Sequence, residues 1–228
     1  MEKQIIFILL ISWLPFLTCA QKHDYIWVTG DDNQTFDTTH GGLLIDFHQN
    51  PVKAYYHYRN LNMFVCNASI CDTAGNLLFY TNGCAIAGAD DNILENGDDL
   101  NPGWPHQLHC INYNDGYASG IQSALFLPLP ESGNKYVLFH KSYIITNSPV
   151  DVIIDQLLYS TIDYSDSAGK VTEKNVELLH DTLAFGELLA VKHANGKDWW
   201  LSPRAATATR FMSRNSPKTV LSTPSGKP

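Results

Sequence analysis

Short apolar runs separated by polar turns set the pattern of this chain. Runs rich in β-branched and aromatic residues occur at 25–28, 41–47, 55–58, 64–70, 77–80, 123–127, 136–139, 176–179, 183–191 and 199–201. Each is bounded by Gly, Asn, Asp, Ser or Pro, the punctuation of strands and turns. Residues 152–161 fit a strand or a short helix by pattern alone. No stretch sustains the 3.6-residue period over the ten or more residues a helix needs. The expected fold class is therefore all-β, with strands every eight to twelve residues or so.

One phrase occurs three times. Ala74-Gly75-Asn76 leads into Leu77-Leu78-Phe79-Tyr80. Ser132-Gly133-Asn134 leads into Tyr136-Val137-Leu138-Phe139, and Asn195-Gly196-Lys197 leads into Trp199-Trp200-Leu201. The glycines are 58 residues (75 to 133) and 63 residues (133 to 196) apart. Recurrence at about 60 residues points to stacked β units, most simply blades of a propeller. A four-stranded blade takes roughly 40–60 residues, so residues 21–201 predict an incomplete β-propeller of about three blades plus part of a fourth. An open propeller of this kind is expected to be poorly stable alone.

The ends differ from this body. Residues 1–20 read as a secretory signal peptide: Lys3, an apolar run over 5–16, then Thr18-Cys19-Ala20 as a cleavage box. Cleavage is expected between Ala20 and Gln21. The apolar run is too short to span a bilayer. No later run is long enough either, so no membrane span is expected once the signal is removed. Residues 202–228 carry five of the 15 basic residues and no acidic one, and the strand pattern stops. A disordered basic tail, a linker and a frameshifted segment all fit. Shifting the frame by one base from Arg204 lets codon degeneracy restore Gly-Gly-Asn-Ser-Asn-x-Phe-Tyr-Val, a turn–strand phrase, which favours the frameshift.

Export sets the redox context. Without Cys19, four cysteines remain: Cys66, Cys71, Cys84 and Cys110. Two disulfides are expected, with three connectivities open. The net charge of −8 disfavours nucleic acid as a partner. The stretch 85–117 is rich in Asn, Asp, Gly and Pro and reads as a long connection. It is either an insertion stapled by a disulfide or the first place to look for a binding surface.

At these residues the chain resembles the N-terminal β-propeller (WD-repeat-like) region of large secreted surface proteins of Gram-negative bacteria. The most specific match runs from Ala68-Ser69-Ile70-Cys71-Asp72 through Thr81-Asn82-Gly83-Cys84. Gly42-Leu43-Leu44-Ile45-Asp46-Phe47, Asn96-Gly97-Asp98-Asp99-Leu100-Asn101-Pro102-Gly103, Lys174-Asn175 and His193-Ala194-Asn195-Gly196-Lys197-Asp198-Trp199-Trp200-Leu201 extend it. Such proteins typically end in a type IX secretion sorting domain. The resemblance implies a propeller at the cell surface and supplies no catalytic residues.

Candidate chemistry is sparse. A propeller glycosidase would need paired carboxylates near the axis, and Asp46, Asp72 and Glu187 are the best-placed candidates. Asp72 has the plainer role of opening a turn. His106 and His109 lack an evident third metal ligand. Asp90-Asp91-Asn92 and Asp98-Asp99 match no calcium-loop spacing. Of Trp199 and Trp200, one should face a core and the other the opposite side of its strand. No catalytic, cofactor or metal residue is assigned. The expected function is a non-enzymatic module that binds an unidentified protein or glycan. A glycosidase and a non-functional truncated product are the alternatives.

Overall fold

The computed structural model describes residues 22–30, 41–206 and 219–221. The predicted signal peptide with its Ala20–Gln21 junction lies outside them, as do tail residues 207–218 and 222–228. The described chain is all-β and forms three antiparallel sheets, each strand pairing with its neighbour in sequence. The first holds β1 (Ile26–Thr29), β2 (Leu43–Asp46) and β3 (Lys53–Tyr56). The second holds β4 (Ala68–Cys71), β5 (Leu77–Thr81) and β6 (Ile86–Gly88). The third has six strands: β7 (Ala124–Pro128), β8 (Lys135–Asn147), β9 (Val150–Asp163), β10 (Lys170–Lys192), β11 (Trp199–Ala205) and β12 (Thr219–Leu221). Two expectations therefore take definite form. Residues 152–161 are strand, and the runs at 176–179 and 183–191 belong to one strand. β11 also runs on past Leu201 to Ala205.

The recurring glycine phrase marks three hairpin turns. Gly75 turns β4 into β5, Gly133 turns β7 into β8, and Gly196 turns β10 into β11. All three adopt positive φ, at 98°, 66° and 73°, a conformation that suits glycine. In the first turn the Asp72 carboxylate accepts from the Ala74 and Asn76 amides at 2.8 and 2.9 Å. In the third, Asn195 Oδ1 accepts from Lys197 and Asp198, both at 3.0 Å. These are Asx turns, which explains the Asp or Asn in the phrase. The second and third turns share one six-stranded sheet.

That sheet changes partner part-way along β10. From Lys170 to Leu183 β10 pairs with β9, and from Leu183 to Lys192 it pairs with β11. Leu183 alone is paired on both sides, facing Ile154 and Ala205. The break follows at once, with Gly186 and Glu187 at φ 67° and 56°. A Cβ on Gly186 would lie 2.1 Å from the Ile121 carbonyl, so the bulge requires glycine there.

Side-chain alternation puts the two faces of β8 into different cores. Tyr136 and Leu138 join Phe79, Phe126 and Ile162 in a core shared with the second sheet. Val137 and Phe139 join Leu188 and Leu201 in a core shared with the far half of β10 and with β11. A third core, with Val28, Met63 and Tyr80, joins the first sheet to the second. β1 also lies against β4, β4 against β7, and β7 against β10.

Candidate functional site

The 85–117 stretch is not a loose loop. After β6 it carries a three-residue helix α1 (Trp104–His106), followed by a π-helical turn (Gln107–Tyr113). Cys84 and Cys110 form a disulfide with their Cα atoms 5.5 Å apart. His106 Nδ1 contacts the Leu100 carbonyl at 2.6 Å, and the Gln107 amide donates to the Gly103 carbonyl at 3.1 Å. Asn96 and Asn101 fasten the preceding segment to β10. Asn96 Nδ2 donates to the Val171 carbonyl at 3.0 Å, and the Asn101 amide donates to Asn175 Oδ1 at 3.0 Å. Lys174 Nζ donates to the Asp98 carbonyl at 3.1 Å. The stretch is stapled by a disulfide, and it forms one side of a cleft.

That cleft, of about 430 Å3, lies between 102–105 and the outer parts of β8 and β9. Trp104 stands on one side, 59% exposed. Ser142, Ile144, Ile145 and Asn147 of β8, with Gln156 of β9, form the other. Gln156 Nε2 donates to Glu177 at 2.6 Å, which leaves Oε1 as the remaining acceptor of that amide. The Asn147 amide has no partner among the described residues. None of the lining residues is charged. Sequence reasoning passed over Trp104. The signal available was the phrase Pro102-Gly103-Trp104-Pro105, which holds a large aromatic between two prolines.

The carboxylates singled out in the sequence do not meet. Asp46 accepts from the His48 amide at 2.8 Å, and that hydrogen bond holds its carboxyl below the usual range. Asp72 is occupied by its turn. Partial burial pulls its carboxyl up, but the hydrogen bonds from Ala74 and Asn76 outweigh that and hold it low as well. Glu187 pairs with Arg204 at 2.7 Å. The three stand in or beside three different sheets. The histidines are separately committed as well: His106 to Leu100, and His109 Nδ1 to Asp115 at 3.1 Å. Asp91 accepts from Arg59 at 2.9 Å and from the Tyr80 hydroxyl at 2.8 Å, while Asp90 binds Asn92. Among the described residues no group of three His, Cys, Asp or Glu side chains could hold a metal ion.

The cysteines form one bridge where two were expected. Cys66 and Cys71 are free and buried, in different surroundings. Cys66 packs against Gly83 and lies in the core with Phe79 and Leu138, and Cys71 Sγ accepts from the Ile26 amide at 3.3 Å. Burial pushes each thiol up to about 11, so neither is a reactive thiolate at neutral pH. Trp199 packs on the core of the far half of β10, its Nε1 donating to the Pro128 carbonyl at 3.2 Å. Trp200 stacks near His193, 5.0 Å between centroids. No helix among the described residues is long and apolar enough to cross a membrane. No family model, curated protein or solved structure matches this chain.

Proposed function

We propose that this chain is a secreted, non-enzymatic β-propeller module that binds a protein or carbohydrate ligand at the cell surface, as part of a longer protein. The propeller reading rests on the succession of first strands, β1 to β4 to β7 to β10, in contact one after another. Innermost strands of neighbouring blades meet in this way around a propeller axis. The partner change at Leu183 then divides the six-stranded sheet into a four-stranded unit, β7 to the near half of β10, and a further unit begun by the far half. The signal-peptide pattern of residues 1–20 supports export, and the resemblance to sorting-domain surface proteins supports delivery to the surface.

The binding reading rests on one observation: an exposed tryptophan at a cleft, on a segment tied down by a disulfide and by hydrogen bonds. Small-molecule sites are mostly preformed, largely apolar and supplied with a few polar groups, and this cleft has that make-up. The test is retention on an array carrying both glycans and extracellular proteins, with wild type and Trp104→Ala side by side. Signals that vanish in the variant support the module. An array with no Trp104-dependent signal refutes it.

A further inference from the structure

We infer that the Trp104 cleft takes a neutral carbohydrate, one sugar ring lying flat against the indole; this deepens the binding-module reading and rests on it. The first observation is the absence of charge. The chain carries a net −8, yet no lining residue of the cleft ionises near neutrality, and burial pushes the Tyr143 hydroxyl further up still. An anionic ligand would lose hydration on entry, meet no counter-charge in the lining and find the Glu177 carboxylate beside Gln156. The second is the pairing of surfaces. Trp104 and Ile144 offer exposed apolar faces, at 59% and 47%, while Asn147 and the Gln156 carbonyl offer hydrogen-bonding groups beside them. A pyranose has a matching make-up, a face of C–H groups and a rim of hydroxyls. An indole is amphipathic in the same sense and is a good partner for such a face.

The third observation is preorganisation. The indole sits between Pro102 and Pro105, on a segment fixed by Cys84–Cys110 and by the His106–Leu100 contact. Little ordering remains to be done on binding, which favours small ligands with few contacts. A proline-rich peptide also stacks on tryptophan, but such peptides dock in grooves lined by several aromatics. Here Tyr143 is 3% exposed, so Trp104 is the one lining aromatic that a ligand reaches. The cleft volume of about 430 Å3 falls within the ~300–1,000 Å3 of small-molecule sites.

The experiment is calorimetric titration of the purified chain with cello-, malto-, laminari- and manno-oligosaccharides. An oligogalacturonate and a polyproline peptide serve as comparators. Binding of at least one neutral oligosaccharide is expected, weakened about tenfold or more in Trp104→Ala and partly restored in Trp104→Phe. Asn147→Ala should weaken it by a smaller factor. Far-ultraviolet circular dichroism and melting of each variant separate lost binding from lost fold. Binding of none of the four, binding that ignores Trp104, or binding of the acidic glycan or the peptide alone would overturn the inference. If the array then shows a protein held through Trp104, the binding module stands and only its ligand class falls. If it shows nothing dependent on Trp104, both fall.

Discussion

His140 is the residue where burial and titration meet most sharply. It is 1% exposed and holds two partners, Asn101 Oδ1 at 2.7 Å and Ser160 Oγ at 3.1 Å. Asn101 Nδ2 donates to the Gly83 carbonyl at 2.9 Å, so the Asn101 oxygen faces the ring as an acceptor. His140 Nδ1 must then carry the proton, and Nε2 accepts from Ser160. Ser160 Oγ in turn accepts from the Asn175 amide at 3.1 Å. A second ring proton would break this chain and charge a dry site, and burial brings the imidazole pKa down to about 3. A folded-state pKa below the unfolded 6.5 gives stability that is complete above pH 6.5 and lost as pH falls toward 3. The carboxylates Asp46, Asp90, Asp163 and Asp166 are held below 3.8, so their losses begin at lower pH. Unfolding free energy should therefore drop by on the order of 3 kcal/mol between pH 6.5 and 4. Urea titrations at several pH values check this. His140→Gln, which can still donate and accept, should flatten the slope, and a wild-type curve already flat in that window would contradict the account.

At the scale of elements, β10 is held at its break by Lys141. The side chain is fully buried and donates through Nζ to the Ala184 carbonyl at 2.9 Å and to the Gly186 carbonyl. Those carbonyls flank the bulge where β10 leaves β9 for β11. Lys141→Met removes both donations and should cost about 2 kcal/mol or more, read as a lower urea midpoint. Burial lowers the ammonium pKa to about 8, against the pull of Glu187. With the folded value below the unfolded 10.5, Lys141 adds stability as pH rises from 8 to 10.5, while Cys66 and Cys71, held up to about 11, take stability away from about pH 9 in wild type and variant alike; the difference between wild type and Lys141→Met should therefore change across pH 8 to 10.5 by the Lys141 contribution alone. The Cys84–Cys110 bridge closes a loop across 26 residues. A Cys84→Ser, Cys110→Ser double variant should lose about 3 kcal/mol, and a reductant should lower the melting temperature of wild type alone. How much of this was legible follows from which interactions are local. The Gly75, Gly133 and Gly196 turns could be read because Asx chemistry and positive φ leave a signature within four residues. The continuity of β10 could not, because its register shifts at several bulges interrupt the alternation that marks a strand. The choice of Cys84 with Cys110 could not either, since pairing depends on the path of residues 85–109 through space. The phrases Asn96 to Gly103 and Lys174-Asn175, distinctive in sequence, act as polar fasteners between that path and β10. Trp104 went unread because exposure, its decisive property, is fixed by neighbours distant in sequence.

For the whole molecule, the order of sheets decides where apolar surface is left over. The middle of the series is dry on both sides: β5 contributes Phe79 to one core and Tyr80 to another, and β8 likewise contributes Leu138 and Phe139. The two ends of the series differ. On the first sheet Trp27 and Tyr55 are half-exposed, and on the far half of β10 Leu189 is 55% and Val191 66% exposed. Leu189 and Val191 are two apart and so lie on one face of the strand. In the proposed propeller each unit would bury its face on the next, so the exposed apolar face of the far half of β10 is a surface that a neighbour would cover. Exposed strand surface of this kind associates with other copies. The isolated chain should therefore self-associate in sedimentation velocity runs, increasingly with concentration. Leu189→Lys together with Val191→Lys should shift it toward monomer without lowering its melting temperature, because neither side chain is in a core. Wild type that remains monomeric at high concentration would show that this face needs no neighbour, and the fragment reading would lose its physical basis. A double variant that associates as strongly as wild type would move the contact elsewhere, to the Trp27 face, where Trp27→Lys makes the corresponding test.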